Sequence, residues 1–390
     1  MDKAIIRVLY VSQKPVFPVV DGGTKAMSLF FEALQACQSI ELTYAPIVTP
    51  KHPNVAIPKH VNPKNVHPLF LSTKLTFSKI LGSISQVPFN VIRHNDVLAQ
   101  QALEKLTTTD NYSWIICDGF YALTLLPEKV LHTHKVMYRS HNLESNYWQI
   151  RALQEPIRKR FFFSWIARSM KKFEPQKVAL AERVLSISHE ELMTLKSWNK
   201  NTSVFLPSAS PDEGTDGVLP HACSIGFVGD MGWFPNRKAM RYFIDNLWPI
   251  LRQKVPKVQL ALAGKGTESF TQLDQGIQGF GFVNDLAKFY AAQRFLINPI
   301  KSGTGFNMKL LEAINFHKPV VTYGSRVLGF EDVSCFLTAE SDEDFIARTE
   351  KLLNDPDLVQ ELSASINSVI QRHFNFTDKV QELEKMLHES

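Results

Sequence analysis

Short runs of apolar, β-branched residues alternate along this chain with longer segments whose apolar positions recur at helical spacing. "IIRVLYVS" (5–12) precedes the amphipathic "TKAMSLFFEALQAC" (24–37), and "WIICDG" (114–119), "HKVMYRSHN" (134–142) and "RVLSISHEE" (183–191) repeat the short run. Strands that alternate with helices predict parallel sheets with crossover helices. The stretch "LPSASPDEGTDGVLPH" (206–221), rich in Pro, Ser, Asp and Gly, breaks the rhythm and reads as a linker. Beyond it the alternation restarts with "CSIGFVGD", "PNRKAMRYFIDNLWPILRQK", "VQLALAGKG", "GIQGFGFVND", "LAKFYAAQ" and "FLINPI". A last helical segment, "TDKVQELEKMLHES" (377–390), closes the chain.

The fold class expected from this pattern is α/β, with two Rossmann-like, doubly wound domains in tandem. Residues 1–208 form the first domain, 209–221 the linker and 222–372 the second domain. In sheets of this kind ligands sit beyond the carboxyl ends of the strands, so the cleft between the domains is the default site.

Composition narrows the class. The 390 residues suffice for two domains, and 44% hydrophobic with 21% charged residues is the balance of a folded globular protein, which excludes a disordered or repeat architecture. The formal net charge of +5 suits an anionic ligand or surface but falls far short of a dedicated nucleic-acid binder, so no nucleic-acid partner is expected. Cys37, Cys117, Cys223 and Cys335 stand far apart without a CxxC, which argues against a disulfide frame or zinc site and fits a reducing compartment. The opening "MDKAIIRVLYVSQKP" has one apolar run broken by Arg7 and reads as a first strand rather than a leader. No run approaches the roughly 18 apolar residues of a spanning helix. A cytoplasmic protein is expected, with membrane contact only from the surface.

Candidate chemistry concentrates in "PIKSGTGFNMKLLEAINFHKPVV" (299–321), where a strand end, a loop with two glycines, a helix and a second strand follow one another. A glycine loop opening a helix points free backbone N–H groups and the positive helix end at whatever lies above, which favours a phosphate. The same glycines also fit a plain tight turn. Lys309 and Glu312, three apart on one helix face, fit either an exposed ion pair or a pair of ligand contacts.

The arrangement "GTGFNMKLLEAINFHKPVVTYGS…LGFE" resembles the nucleotide-binding end of GT-B glycosyltransferases, in particular the large family 4 of retaining, nucleotide-sugar-dependent enzymes (glycosyl transferases group 1). The resemblance implies that Glu312 binds the ribose hydroxyls of the donor, with Gly303, Thr304, Gly305, Phe306 and Asn307 around the diphosphate. Many members carry a further Glu eight positions upstream, where this chain has Thr304. "FVGDMGWFPNRKAMRYF" (227–243) resembles the first strand and helix of the second domain in the branch reading Gly-x-Met-x-Trp-x-Pro-Asn, which places Gly229 at the donor. Other branches put an Arg and a Lys there, where this chain has Asp230 and Asn236. Lys309 and Lys265 are then the cations left to neutralise the diphosphate, since a buried diphosphate without one would be too costly.

In the first half, "VVDGGTKAMSLFFEAL" (19–34) resembles the family's first loop, with Gly22 and Gly23 approaching donor or acceptor at a helix start. "MYRSHNLESNYW" (137–148) resembles the segment whose His lies beside the sugar, matched by His141. Arg139, Asn142 and Glu144 next to it, with Asp118 at the end of "WIICDG", are assigned to the acceptor, although His141 would also serve as a backbone cap and Asp118 as a turn residue. The resemblance spans nearly the whole chain and implies that the last helix, 373–390, crosses back onto the first domain.

Two further stretches complete the inventory. "RALQEPIRKRFFFSWIARSMKKFEP" (151–175) carries seven Arg and Lys residues interleaved with Phe161, Phe162, Phe163 and Trp165. It fits a helix lying on an anionic membrane or a half-buried helix with a solvated basic face. Asp342-Glu343-Asp344 and Asp355-Pro356-Asp357 sit where helix starts favour acidic caps, so no metal site is assigned.

Together these readings point to a glycosyltransferase that moves a sugar from a nucleotide-diphosphate sugar to a hydroxyl acceptor, a glycan or lipid-linked glycan of a bacterial envelope polysaccharide, with retention. His141, Lys309 and Glu312 would carry catalysis, without metal or other cofactor. A nucleotide-sugar epimerase of the same fold and an inactive nucleotide or glycan binder remain as rivals. A dehydrogenase does not fit, because no GxGxxG follows the first strand with an acidic residue beyond it.

Overall fold

The computed structural model describes residues 5–74, 87–210, 223–301, 306–327, 330 and 333–389. The chain divides into two compact units, the first built from residues up to Pro207 together with Phe306 and the segment from Thr377, the second from the other residues between Ser208 and Phe376.

The first unit is a seven-stranded sheet of β1 (Ile6–Ser12), β2 (Ile40–Val48), β3 (Leu69–Phe70), β4 (Trp114–Asp118), β5 (Val136–Ser140), β6 (Arg183–Ser186) and β7 (Thr202–Val204). Their order is β3-β2-β1-β4-β5-β6-β7, every pairing parallel. Helices cover both faces of such a sheet, which is why β1, β4 and β5 are buried along nearly their whole length without alternating apolar and polar positions. The strand order turns at the junction of β1 and β4. There Ser12 pairs with Asp118 and Asp118 with Arg139, so three polar residues end up in one row at the carboxyl edge.

The second unit repeats the plan with six strands, β8 (Ser224–Val228), β9 (Gln259–Ala263), β10 (Ile277–Gly279), β11 (Phe295–Asn298), β12 (Val320–Tyr323) and β13 (Phe336–Ala339), in the order β10-β9-β8-β11-β12-β13. All its pairings are parallel too. The tandem doubly wound α/β class expected from the alternation is therefore the observed one.

The last helix, Phe376–His388, packs within the first unit through buried Leu383 and Leu387. Its final carbonyls have no partner inside the helix. Trp114 Nε1 donates to Leu387 O at 3.0 Å and Arg183 Nη1 to Met386 O at 2.7 Å, so two side chains of the sheet cap the helix end, one of them a cation that complements its negative pole. Among the described residues no helix is long and apolar enough to cross a membrane.

Candidate functional site

In the first unit the site grows from the row at the strand ends. Asp118 is wholly buried, and its Oδ1 and Oδ2 lie 2.9 and 3.1 Å from Arg139 Nη1. Tyr10, from the middle of β1, donates its hydroxyl to Asp118 Oδ2, and His141 Nε2 lies 2.5 Å from Oδ1. Arg139 is buried as well; its Nη2 donates to Ala26 O at 3.1 Å and its guanidinium lies 4.5 Å from the centre of the Phe30 ring. Burial opposes ionisation of Asp118, but Arg139, His141 and the Tyr10 hydroxyl together hold its carboxyl well below the usual carboxylate range.

For His141 burial is the largest influence and pulls the imidazole below its ordinary value, against the opposing pull of Asp118. A neutral imidazole facing a carboxylate must carry its proton on Nε2, because a carboxylate only accepts. Nδ1 is then an acceptor, with no hydrogen-bond partner among the described residues. The His141 side chain keeps 10% of its surface exposed, whereas Asp118 and Arg139 keep none.

Asp118 and Arg139, assigned to the acceptor from the sequence, are wholly buried and both contact His141 Nε2. Glu144 is also buried, and its Oε2 accepts from Tyr121 Oη at 3.1 Å and Trp148 Nε1 at 3.2 Å. It opens the helix Glu144–Gln154, whose first amides are capped by two more buried carboxylates. Glu174 accepts from the N–H groups of Glu144 (2.7 Å) and Ser145 (2.9 Å), and Glu191 from that of Leu143 (3.0 Å). Burial and then the neighbouring Glu174 push Glu144 up to about 8, and burial raises Glu191 to about 7. Half-buried Asn142 turns its side chain to the Glu144 carboxyl.

Gly22 and Gly23 are the first two residues of the helix Gly22–Ala36. Asp21 caps it, accepting from Thr24 N at 2.7 Å, while Thr24 Oγ1 accepts from Asp21 N at 2.9 Å. Lys14 Nζ reaches both oxygens of Asp21 at 2.7 Å, which leaves a cation beside a helix start. The D-x-x-T cap is visible in the sequence, but Lys14, seven residues earlier, gave no signal and was missed.

In the second unit Gly229 follows β8 and Gly264 follows β9. A Cβ on Gly264, whose φ is +121°, would lie 2.3 Å from Gly229 O, so the two turns touch backbone to backbone and only glycine fits. Met231 N donates to Lys265 O at 2.9 Å, joining the loops, and Lys265 itself is exposed. Asn236 Nδ2 donates to Asp230 O at 2.8 Å: the residue that stands in place of a cation ties the loop instead.

The helix Met308–Asn315 carries Lys309 and Glu312, both half-buried, behind buried Phe306 and Asn307. Tyr290 Oη donates to Glu312 Oε2 at 3.1 Å, and the Tyr290 ring stacks on Phe316 at 4.3 Å. Lys309 Nζ lies 6.0 Å from the Phe227 ring centre. Tyr290, which fixes Glu312, was missed because nothing in "LAKFYAAQ" marks its hydroxyl. Gly303, Thr304 and Gly305 lie outside the described residues.

The acidic runs are engaged locally. Asp342 pairs with Lys301 at 2.6 Å and accepts from the Tyr242 and Tyr323 hydroxyls, Asp344 pairs with Arg348 at 2.9 Å, and Asp355 caps Leu358 N at 2.9 Å. Among the described residues no three His, Cys, Asp or Glu side chains cluster as a metal site would need.

Two all-parallel doubly wound sheets in tandem are the layout of the GT-B fold. Comparison with solved structures agrees. The sucrose-phosphate synthase of Thermosynechococcus elongatus superposes with a TM-score of 0.68 at 15% identity, over 98% of both chains. Anabaena HepE, solved with UDP and glucose, gives 0.62 at 12%, over 99% of this chain and 100% of that one. The pneumococcal O-GlcNAc transferase GtfA, solved with UDP and GlcNAc, gives 0.64 at 8%, over 98% and 99%. Within this fold, residues 222–355 match the family model described as glycosyl transferases group 1, so the resemblance to that group stands. A curated relative, an uncharacterized 44.6 kDa protein in the cps region of Klebsiella pneumoniae, is 21% identical over 233 residues. The match covers 56% of this chain and spans only 59% of that relative's length.

Proposed function

We propose that the protein is a retaining glycosyltransferase that moves a hexose-type sugar from a nucleotide-diphosphate donor to a hydroxyl acceptor in the synthesis of a bacterial envelope polysaccharide. The observation that carries this reading is the match of residues 222–355, the segment that holds Glu312, to the group 1 glycosyl transferases. Two solved proteins of the same fold contain UDP with a sugar, which makes UDP-sugars the first donors to try, and the cps-region relative supports a polysaccharide product.

Glu312, steadied by Tyr290, would accept hydrogen bonds from the two ribose hydroxyls. Lys309 and Lys265, with the Gly303–Gly305 loop and Gly229, would face the diphosphate. Negative charge grows on that diphosphate as the glycosidic bond breaks, and fixed cations stabilise it without reorganising. Neutral His141, its Nε2–H spent on Asp118, would accept a sugar hydroxyl at Nδ1. The leaving diphosphate oxygen would take the acceptor's proton, so no protein nucleophile and no metal is required. Gly22 and Gly23, at a helix start beside Lys14, would lie against the donor phosphate or the acceptor.

The test is thermal unfolding of the protein with a panel of nucleoside diphosphates and their sugars, repeated on Glu312→Ala. A ligand at 100 times its dissociation constant adds about 2.7 kcal/mol. One nucleotide should stabilise the wild type and leave the variant unmoved; no stabilisation by any of them would overturn the donor site. Incubation with the stabilising sugar nucleotide and no acceptor separates transfer from epimerisation, since only an epimerase would yield an isomer.

A further inference from the structure

The hairpin of helices Glu144–Gln154 and Ile157–Val178 has a surface for which the function above has no use. One side of the second helix belongs to the core: Ile166, Met170 and Phe173 are buried, and Phe163 stacks on Trp148. The opposite side is built otherwise. Ile157, Phe161 and Trp165 follow one another at four-residue intervals and Arg168 and Lys172 continue the line, so the five share one face. Ile157 is 68% exposed, Phe161 78% and Trp165 41%, and Leu153 at the end of the preceding helix adds a fourth apolar side chain at 66%. Scattered exposed apolar residues are ordinary, whereas four gathered at one hairpin end mark a contact surface.

The charge on this face is uncompensated. Arg158, Arg168 and Lys172 lie on it and Lys171 at its edge; all four are exposed, and none has a carboxylate within ion-pair distance among the described residues. The two acids of the stretch are taken: Glu155 pairs with Arg151 at 3.6 Å, and Glu174 is buried as a cap on the Glu144 and Ser145 amides.

We propose that this face docks on an anionic phospholipid bilayer, with Leu153, Ile157, Phe161 and Trp165 entering the headgroup region and Arg158, Arg168, Lys171 and Lys172 meeting lipid phosphates. An anionic bilayer is the partner that satisfies both sets at once. A soluble polyanion would pair the cations but leave Leu153 and Ile157 in water, and neither has a group to read a base or a sugar hydroxyl. Each cation near a charged leaflet is worth about fivefold in partitioning, and the apolar side chains add their own burial. The hairpin begins three residues after His141, so docking holds that part of the first unit at the lipid surface, where a lipid-linked acceptor would be presented. The docking itself does not depend on the glycosyltransferase reading.

The experiment is co-sedimentation of the full chain with phosphatidylcholine vesicles, with and without phosphatidylglycerol. Binding is expected only to the anionic vesicles and should weaken as salt is raised. Both Phe161→Ser/Trp165→Ser and Arg168→Glu/Lys172→Glu should reduce partitioning about tenfold or more. All four side chains are exposed, so unchanged unfolding temperatures are expected and establish that the variants are folded. No binding to the anionic vesicles, or equal binding by either variant, overturns the proposal. Retention on heparin or an oligonucleotide without vesicle binding overturns it too, and assigns the face to a soluble polyanion.

Discussion

His141 Nε2 and Asp118 Oδ1 lie 2.5 Å apart, joining the residue just beyond β5 to the last residue of β4. That contact fixes which imidazole nitrogen carries the proton, and Arg139, with His141 itself and the Tyr10 hydroxyl, keeps the carboxylate ionised in a dry interior.

Asp118→Asn and His141→Ala should therefore fail in different ways. Removing the Asp118 charge leaves the Arg139 guanidinium buried without its counter-ion, a loss of about 3–5 kcal/mol. His141→Ala keeps the Asp118–Arg139 pair, so stability should change by only about 1 kcal/mol while turnover falls about 100-fold. Urea unfolding and initial rates on the two variants check this; equal loss of stability in both would mean that His141 belongs to the frame and not to the site.

Stability should fall as pH rises toward 8. Glu144 is raised from the ordinary value of 4.5 to about 8, so below about pH 4.5 it is protonated in both folded and unfolded chains and carries no penalty. Between those values the unfolded chain releases the proton and the folded one retains it, which favours unfolding by on the order of 4 kcal/mol once pH passes 8. Glu144→Gln keeps acceptors for Tyr121 and Trp148 and has no charge to bury. Its unfolding temperature should exceed that of the wild type by roughly 5 °C or more at pH 8.5 and match it near pH 4.5. A wild-type profile as flat as the variant's would show that Glu144 titrates normally.

Gly264→Ala should lose at least about 2 kcal/mol, from a strained φ and a collision with Gly229 O that no rotamer relieves. Because Gly229 sits in the turn that must yield, stabilisation by nucleotide should weaken as well. Thermal unfolding with and without UDP measures both, and a variant as stable as the wild type would contradict the backbone contact.

Tyr290→Phe should leave the fold alone, since the ring and its stacking on Phe316 persist. Losing the hydroxyl removes one of the contacts that hold Glu312, and the dissociation constant for the nucleotide should rise roughly tenfold, the worth of one hydrogen bond to a charged group. Titration calorimetry decides the matter; unchanged affinity would remove Tyr290 from the donor site.

Much of this molecule was legible in one dimension because its causes are local or periodic. Apolar runs such as "IIRVLYVS" and "WIICDG" have to be parallel strands covered on both faces, since a half-exposed strand would alternate. Asp21 and Thr24 announce a helix start, and the segment after β11 announces a helix with Lys309 and Glu312 on one face. The glycines after β8 and β9 could be read as turns, but their contact could not, because 35 positions of chain separate Gly229 from Gly264.

The sequence by itself therefore determined two tandem α/β units and their order of elements, through burial patterns that repeat every few residues. Tertiary structure alone decided the electrostatics. Parallel register sets Ser12, Asp118 and Arg139 in one row, and Tyr10 reaches an acid 108 positions away. Glu144, Glu174 and Glu191 converge on one helix start from three different helices. Whether a charged side chain meets a ligand or props up the residue that does depends on how much water is left around it, and that depends on neighbours distant in the chain.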